Sequence, residues 1–377
     1  MTQAYLDNSA TTPVCAEALA VMCEVMERDF GNPSSAHAAG IAASARLETA
    51  RAQVAERLRC SASEVYFTSG GTESNNLAVL GAAHAMRRYG KRIVSTAVEH
   101  PSVDEALNRL AQEGFEVIRL APDRSGRISQ TEMARAINGN TILVSVMSVN
   151  NETGVPQPVE SIKRILQSRR SPALLHCDAV QSFGKLPLRP AALGIDLMSI
   201  SAHKIHGPKG VGALYLKKGV RVPNRHFGGS QERGLRPGTE PLPAIAGFGA
   251  AVQALPDEAA ALAELTALRD FLLEGLCRIG GIAVHSPPDA LPYITNFSVP
   301  GKNGNNLVNF LSERGVCVST GSACSKGKPS RVLRAMGLEK TMLDSALRVS
   351  FSHRSTKTEV ELLLDALAAA KNTLRNI

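Results

Sequence analysis

Residues 141–147 have the sequence Thr-Ile-Leu-Val-Ser-Val-Met, an almost unbroken apolar run that leads into a polar segment. Such a run is typical of a β-strand that helices cover on both faces of a sheet, whereas a half-exposed strand alternates apolar and polar residues. Similar short runs alternate with longer amphipathic stretches through the first two-thirds of the chain. This order predicts an α/β fold with a doubly wound, mostly parallel sheet.

The predicted strands of this sheet are short, and turn residues bound each of them. They are residues 64–68, 92–98, 115–120, 141–147, 173–177, 197–201 and 212–216. The helices predicted between them include residues 72–88, 102–112 and 159–167. Strands and helices that alternate in this way indicate repeated strand–helix–strand units.

The pattern changes at about residue 241, where an Ala- and Leu-rich helical stretch begins and continues to residue 277. Shorter strands and one long closing helix follow; they are residues 282–285, 294–299, 316–319, 347–351 and 358–374. This part predicts a smaller α+β domain, to which the N-terminal dozen residues are expected to return. We therefore expect a large domain of residues 13–254 and a small domain of residues 1–12 and 255–377.

The composition is that of a compact globular protein. Hydrophobic residues make up 44% of the 377 residues and charged residues 20%, and the formal net charge is +8. The basic residues are scattered and aromatic residues are only 4%, so nucleic-acid binding is not expected. No run approaches the roughly 18 consecutive apolar residues of a membrane helix. Residues 1–12 lack the basic start and apolar stretch of a secretory signal, so we expect a cytoplasmic protein.

The seven cysteines contain no Cys-x-x-Cys pair and no ligand-like cluster. An odd number in a chain without a signal argues for free thiols rather than a disulfide framework. No metal site is expected, and one of the thiols is a candidate for chemistry.

Polar residues collect where the predicted strands end, which is where ligands bind in open α/β sheets. Residues 69–73 (Ser-Gly-Gly-Thr-Glu) join a strand to a helix, where backbone N–H groups and the helix dipole attract phosphate. A Gly pair with a Thr cap is also an ordinary strand-to-helix turn. Other strands are followed by His100, by Asn151 and by Asp178, with Gln181 three residues later. An asparagine there is a turn former as easily as a ligand contact.

The strongest local signal is in residues 201–210, which read Ser-Ala-His-Lys-Ile-His-Gly-Pro-Lys-Gly. Lys204 lies among small polar residues just beyond a predicted strand, and a lysine at such a site can lose its proton and form a Schiff base. A lysine, an acidic residue at the mouth of an apolar strand and a phosphate-binding turn together match the requirements of pyridoxal phosphate.

Several segments occur in an order that is typical of one enzyme family. They are residues 5–12 (Tyr-Leu-Asp-Asn-Ser-Ala-Thr-Thr), 31–37 (Gly-Asn-Pro-Ser-Ser-Ala-His), 68–76 (Thr-Ser-Gly-Gly-Thr-Glu-Ser-Asn-Asn) and the His203–Lys204 block. With them the chain resembles the class V, fold-type I pyridoxal-phosphate enzymes, and more narrowly the cysteine desulfurases. The resemblance runs from Tyr5 to the terminal helix.

This resemblance implies a role for each site residue. Lys204 would bind pyridoxal phosphate covalently and later move the substrate's Cα proton. His100 would stack on the pyridine ring and assist proton transfer, and Asp178 would pair with the ring nitrogen. The other cofactor-binding residues would be Gln181 and Asn151 on the phenolic side of the ring, and Gly71, Thr72, Ser201, Ala202 and His203 around the phosphate. In residues 236–239 (Arg-Pro-Gly-Thr), Thr239 would reach the phosphate of the partner subunit, so a homodimer is expected.

The family's nucleophilic cysteine matches Cys324, within residues 319–328 (Ser-Thr-Gly-Ser-Ala-Cys-Ser-Lys-Gly-Lys). Nearby lysines would favour the thiolate, which is the form that attacks sulfur. Cys177 and Cys317 fit strand patterns and are better read as small buried residues. The stretch from Cys324 to Ser330 is shorter than in the group I enzymes that serve iron–sulfur scaffolds, and this leaves the sulfur acceptor open.

The substrate carboxylate would be bound by Arg354, with Asn151 beside it, because Arg354 matches the family's arginine and a guanidinium can grip two oxygens. The other interpretation of Arg354 is an exposed charge before the last helix. The expected activity is removal of sulfur from L-cysteine, which gives L-alanine and a persulfide on Cys324 for a protein acceptor. The alternatives are a selenocysteine lyase and a non-catalytic sulfur-transfer partner on the same fold.

Overall fold

The computed structural model describes residues 4–321 and 330–375, and within them it contains twelve β-strands and thirteen α-helices. The strands are β1 Ala4–Tyr5, β2 Val65–Thr68, β3 Arg92–Thr96, β4 Glu116–Leu120, β5 Thr141–Met147, β6 Leu174–Asp178, β7 Leu197–Ser201, β8 Gly212–Leu216, β9 Ala283–Val284, β10 Ile294–Ser298, β11 Val316–Cys317 and β12 Ala346–Ser350. The helices are α1 Ala16–Glu27, α2 Ala38–Leu58, α3 Gly71–Met86, α4 Pro101–Gln112, α5 Gln130–Ala136, α6 Val159–Ser168, α7 Pro190–Leu193, α8 Leu242–Gln253, α9 Glu258–Ile279, α10 Gly304–Glu313, α11 Arg331–Ala335, α12 Lys340–Asp344 and α13 Lys357–Thr373.

Seven strands form the main sheet in the order β2-β8-β7-β6-β5-β3-β4. The pairs from β7 to β4 are parallel, while β8 runs antiparallel to both of its neighbours. The predicted α/β fold with a mostly parallel sheet is therefore confirmed, and β8 is the strand that departs from it.

Helices cover both faces of this sheet, as the apolar run of β5 predicted. Along β8, Ala213 and Tyr215 pack into one hydrophobic cluster, while Leu214 and Leu216 pack into another. Helices α2, α6 and α8 contribute to the first cluster, and α3 and α4 contribute to the second. Successive side chains of a strand point to opposite faces of the sheet, so the helices on both faces bury the side chains on both sides of each strand. All seven residues of β5 are buried for this reason.

The C-terminal part contains a three-stranded antiparallel sheet, β12-β10-β9, packed against α9 and α13. Strand β1 pairs with β11 in parallel, with Ala4 opposite Val316. Strand β1, near the N-terminus, therefore lies in this part of the fold. The boundary at residue 254 stays a prediction, and Val332 and Ala346 pack into a core cluster of the large sheet rather than into that of the small one.

No helix among residues 4–321 and 330–375 is long and apolar enough to cross a membrane.

Candidate functional site

A cavity of about 210 Å³ lies at the carboxyl ends of β5, β6 and β7, beside the N-terminus of α3. This is the position that parallel strands give to ligand sites in α/β folds. Nine of the predicted cofactor and catalytic residues line it: Gly71, Thr72, His100, Asn151, Asp178, Gln181, Ser201, His203 and Lys204. Residues more than a hundred positions apart in the chain are thus brought to one place.

Four predicted residues are not placed in this cavity. Ala202 is buried and its N–H donates to the carbonyl oxygen of Val211, so this group is already paired within the sheet. Thr239 and Arg354 are exposed and do not line the cavity. Cys324 lies outside the residues that the structure describes.

Asp178 ends β6 and is held by two donors. Its Oδ2 accepts a hydrogen bond from Asn75 Nδ2 at 2.7 Å, and its Oδ1 accepts one from the N–H of Val180 at 3.0 Å. The carboxylate is almost fully buried, and these bonds offset part of the cost of burying it. Asp178 is therefore oriented at the cavity wall, where it can accept a further hydrogen bond from a ligand.

Lys204 follows β7 in a short helical turn, and the N-terminal segment lies against its amine. The Nζ atom donates to the carbonyl oxygen of Ser9 at 2.5 Å and to that of Ala10 at 2.7 Å. Ser9 and Ala10 also line the cavity. The amine is thus fixed at the wall by backbone acceptors that come from the other end of the chain.

His100 is the N-cap residue of α4, and its ring is fixed by the first turn of that helix. Its Nδ1 receives the backbone N–H of Ser102 at 3.2 Å and lies 2.8 Å from Ser102 Oγ. Burial lowers the pKa of His100, and the positive charges of Lys204 and Arg331 act in the same direction, against Asp178. The imidazole is therefore neutral at physiological pH.

The turn that leads into α3 and the end of β7 form a polar end of the cavity. A side-chain carbon added at Gly71 would lie 2.8 Å from Val180 Cγ2, so the small residue keeps the backbone close to this wall. His203 contacts Thr11 Oγ1 through Nδ1 at 3.2 Å. Burial, with help from Lys204, Lys209 and Lys185, lowers its pKa to about 4, so it is neutral here.

Five buried polar atoms of the lining have no hydrogen-bond partner within the described residues: Ser9 Oγ, Asn75 Oδ1, Gln181 Oε1, Ser201 Oγ and Arg348 Nε. Leaving such an atom unsatisfied costs about 1–3 kcal/mol, and the great majority of buried polar atoms are paired. All five belong to residues of one cavity that also contains an amine, a carboxylate and a helix N-terminus. This combination is the donor and acceptor set of a site for a polar ligand that carries an anionic group.

Arg348 lines the cavity although the sequence analysis did not select it. Its guanidinium is 1% exposed, donates through Nη1 to the carbonyl oxygen of Asn151 at 2.9 Å, and donates through Nη2 to Asp7 Oδ1 at 2.8 Å. Its Nε has no partner among the described atoms. The sequence contained one signal for this residue. Arg348 lies within the apolar strand β12, and an arginine is rarely buried unless its charge has a partner.

Glu152 follows the cavity-lining Asn151 and lies close to both Gly321 and Ser330. Its carboxylate accepts the hydroxyl of Ser330, and a side-chain carbon added at Gly321 would lie 3.0 Å from its Oε2. Gly321 and Ser330 are the last described residues on either side of residues 322–329. Gly321 and Ser330 therefore both lie beside Glu152, the residue that follows the cavity-lining Asn151.

The aminotransferase class-V family matches residues 4–363. The chain therefore belongs to this family, and its fold is that of the fold-type I enzymes. Cysteine desulfurase IscS of Methanosarcina thermophila is 39% identical over 377 residues, which cover 99% of this chain and 93% of that protein. Cysteine desulfurase 2 of Trichormus variabilis is 40% identical over 381 residues, covering 100% and 95%. Within the family, the chain thus belongs with the cysteine desulfurases, as the sequence resemblance predicted.

Solved structures agree with this assignment. A NifS-like protein is 37% identical and superposes with a TM-score of 0.94, covering 99% of this chain and 100% of that one. SspA, solved in complex with cysteine, is 35% identical with a TM-score of 0.83, covering 94% and 100%.

Proposed function

We propose that this protein removes the sulfur atom of L-cysteine with pyridoxal phosphate as cofactor, releases L-alanine and keeps the sulfur as a persulfide on Cys324. One observation carries the proposal: the cavity assembles Lys204, Asp178, His100 and Gln181 in a chain that is similar over its full length to cysteine desulfurases. Because all four of these residues are present in one cavity, the chain is unlike a non-catalytic sulfur-transfer partner on the same fold.

The residues of the cavity fit pyridoxal phosphate. The cofactor's phosphate suits the N-terminus of α3 at Gly71 and Thr72 and the unpaired hydroxyl of Ser201, with neutral His203 beside them. Gln181 Oε1 would accept from the phenolic hydroxyl, and Asp178 would hold the protonated ring nitrogen. When bound, the cofactor supplies an electron sink for the carbon from which a proton is removed.

Lys204 and His100 handle protons at this site. Lys204 Nζ, held by the carbonyl oxygens of Ser9 and Ala10, would be the amine that holds the cofactor and would move the substrate's Cα proton. His100 lies on the cavity wall and would face the cofactor ring, and burial lowers its pKa and so favours the neutral imidazole.

Arg348 replaces Arg354 as our candidate for the substrate carboxylate. Its guanidinium lines the cavity and is oriented by Asp7 and by the backbone of Asn151, while Arg354 is exposed outside it. A guanidinium that is already fixed loses little freedom when it binds a carboxylate.

The sulfur step is a displacement on the substrate's sulfur. The thiolate of Cys324 attacks that sulfur, so that an S–S bond forms and the substrate's C–S bond breaks. The electron pair of the broken bond stays with the substrate carbon, which takes up a proton and leaves as L-alanine. The position of Gly321 and Ser330 beside Glu152 supports this role, because Glu152 is next in sequence to the cavity-lining Asn151.

A homodimer completes the proposal. Thr239 is exposed on this chain, so its hydroxyl is available to the phosphate of a second copy. Large apolar side chains are also exposed, among them Leu19, Met26, Phe30 and Ile41 near the start of the chain. A second copy would remove this apolar surface from water. From the homodimer, sulfur would pass to a protein acceptor.

The activity is tested by separating cofactor attachment from sulfur release. Borohydride reduction should fix the cofactor to one peptide, the one that contains Lys204. The Cys324→Ala variant should bind cofactor and substrate yet form almost no alanine from cysteine, while Cys277→Ala, which alters an exposed thiol on α9, should behave as the unmodified protein. Attachment to another lysine, or near-normal alanine production by Cys324→Ala, would refute the assignment.

A further inference from the structure

A chain of hydrogen bonds joins the two residues that face the cofactor ring. Asn75 Nδ2 donates to Asp178 Oδ2 at 2.7 Å and to Ser102 Oγ at 2.8 Å. Ser102 Oγ in turn lies 2.8 Å from His100 Nδ1. Asn75 is 1% exposed and Ser102 is 8% exposed, so solvent does not compete for these bonds. Asn75 and Ser102 were not selected from the sequence as site residues.

Donor and acceptor chemistry limits the direction of each hydrogen bond between Asp178, Asn75, Ser102 and His100. An amide nitrogen only donates, and the two N–H groups of Asn75 donate to Asp178 and to Ser102. The hydroxyl of Ser102 accepts from Asn75, so its single proton is available for His100 Nδ1. The backbone N–H of Ser102 donates to the same Nδ1 at 3.2 Å. Both contacts from Ser102 are satisfied when Nδ1 carries no proton, which places the proton of a neutral ring on Nε2.

We propose that Asn75 and Ser102 are positioning residues that hold His100 in its Nε2–H tautomer and tie the orientation of its ring to Asp178. The proposal rests on the proposed function, which assigns His100 and Asp178 to the cofactor. It also gives His100 a defined chemistry: the ring can deliver a proton from Nε2, but it cannot take one at Nδ1 without breaking both bonds from Ser102.

Protonation of His100 is opposed by the same arrangement. A proton on Nδ1 would face the Ser102 backbone N–H, which can only donate, and would force the Ser102 hydroxyl to turn its own proton away. Burial and the charges of Lys204 and Arg331 also disfavour the imidazolium, and only Asp178 favours it. Ser102 therefore adds a specific contact to the general effect of burial.

The tautomer can be measured without cofactor or turnover, by nitrogen NMR of apoprotein labelled in its nine histidines. The His100→Gln variant identifies the signal of His100. In the unmodified protein we expect the shifts of an imidazole protonated at Nε2. Ser102→Ala removes one of the two donors, worth about 1 kcal/mol, so the tautomer ratio should move roughly fivefold towards Nδ1–H. Asn75→Ala should move it in the same direction.

Two variants separate positioning from packing. Ser102→Thr keeps a hydroxyl and should restore the tautomer ratio, while Ser161→Ala removes a buried hydroxyl that bonds the carbonyl oxygen of Pro158 and should leave His100 unchanged. In the cofactor-loaded protein, Ser102→Ala should lower kcat for cysteine and leave KM nearly unchanged, because Ser102 acts through His100.

Two results would overturn the inference: a proton on Nδ1 in the unmodified apoprotein, or identical His100 shifts in the unmodified protein and Ser102→Ala. Either result leaves the desulfurase proposal standing, since that is judged by the fate of sulfur and alanine. If the desulfurase proposal were refuted instead, the NMR measurement of the His100 tautomer would still be valid, because it is made on the apoprotein.

Discussion

At the scale of single residues, two arginines six positions apart have opposite environments. Arg348 is on β12, where its side chain is buried in the cavity between Asp7 and the backbone of Asn151. Arg354 follows that strand and faces solvent. A buried guanidinium that is fixed by two acceptors has the rigid geometry needed to bind a carboxylate, and an exposed one does not.

Substitution of these arginines should therefore affect cysteine binding unequally. Charge-assisted hydrogen bonds contribute about 1.5–3 kcal/mol, so Arg348→Ala should lower kcat/KM for L-cysteine roughly 10- to 100-fold. Arg354→Ala is the matched control and should have little effect. The measurement is steady-state kinetics, with thermal unfolding of each variant to verify the fold. A large loss in Arg354→Ala alone would show that the sequence-based choice was right.

Burial also changes the pKa of one acidic residue, Glu99. Its Oε1 accepts from Thr96 Oγ1 at 2.7 Å and from the N–H of Met147 at 2.9 Å, while Oε2 has no partner among the described atoms. Burial raises its pKa from the ordinary 4.5 to about 8, and Asp178 and Asp104 add to the shift. The protonated form is thus favoured in the folded protein.

The stability of the protein should consequently depend on pH. Between about 4.5 and about 8 the folded state holds the Glu99 proton and the unfolded state has lost it, so stability falls as pH rises. The slope from one such group is at most about 1.4 kcal/mol for each pH unit. Urea unfolding of the apoprotein at several pH values should show this slope, and Glu99→Gln should reduce it. Glu105→Gln, at an exposed position of α4, should keep it.

At the scale of elements, the short strand β1 and the segment after it join both parts of the fold to the site. Strand β1 pairs with β11, and Leu6 is fully buried in the small core. The segment then supplies the carbonyl oxygens of Ser9 and Ala10 to Lys204. A two-residue strand is weak by itself, so Leu6 provides much of the anchoring.

Truncation of Leu6 should therefore cost more than its place near the chain terminus indicates. Leu6→Ala removes a fully buried side chain and should lower the free energy of unfolding by about 2–5 kcal/mol. Val284→Ala, at an exposed position on the edge strand β9, should change it by less than about 0.5 kcal/mol. Denaturant unfolding compares the two, and equal effects would mean that β1 is not anchored by Leu6.

At the scale of the whole molecule, the cavity of one chain is lined by all the predicted cofactor contacts except Ala202 and Thr239. Ala202 is paired within its own sheet, but Thr239 is exposed and remains available to another copy. Under the proposed function, each site of the homodimer takes Lys204 from one subunit and Thr239 from the other.

Mixed dimers test this arrangement directly. One hydrogen bond to a charged phosphate contributes about 1.5–3 kcal/mol, so Thr239→Ala should weaken cofactor retention roughly tenfold or more. In a heterodimer of one Lys204→Ala subunit and one Thr239→Ala subunit, one site carries both changes and the other site carries neither. Co-expression should therefore restore about one intact site per heterodimer, and Lys204→Ala with Thr358→Ala serves as the comparison for an unrelated exposed threonine. An active monomer in sedimentation would exclude the shared site.

The sequence by itself determined the main sheet and nine of the cavity residues. Strand and helix patterns are local, and Lys204, Asp178, His100 and Gln181 each follow a strand whose apolar run can be read directly. The carboxyl ends of parallel strands meet at one edge, so their proximity follows from the fold class. The antiparallel direction of β8 could not be derived in this way, because strand direction depends on pairing.

Only the tertiary structure decided which arginine faces the cavity and what surrounds each site residue. Arg348 and Asp7 are 341 positions apart, and Asn75 and Asp178 are 103 apart, so no local pattern relates them. The orientation of His100 depends on Ser102 and Asn75 together, and the Asn75–Ser102 bond forms only when α3 and α4 pack side by side. Hydrogen-bond direction and burial are properties of that packing, which is why the tautomer of His100 could not be deduced from its position in the sequence.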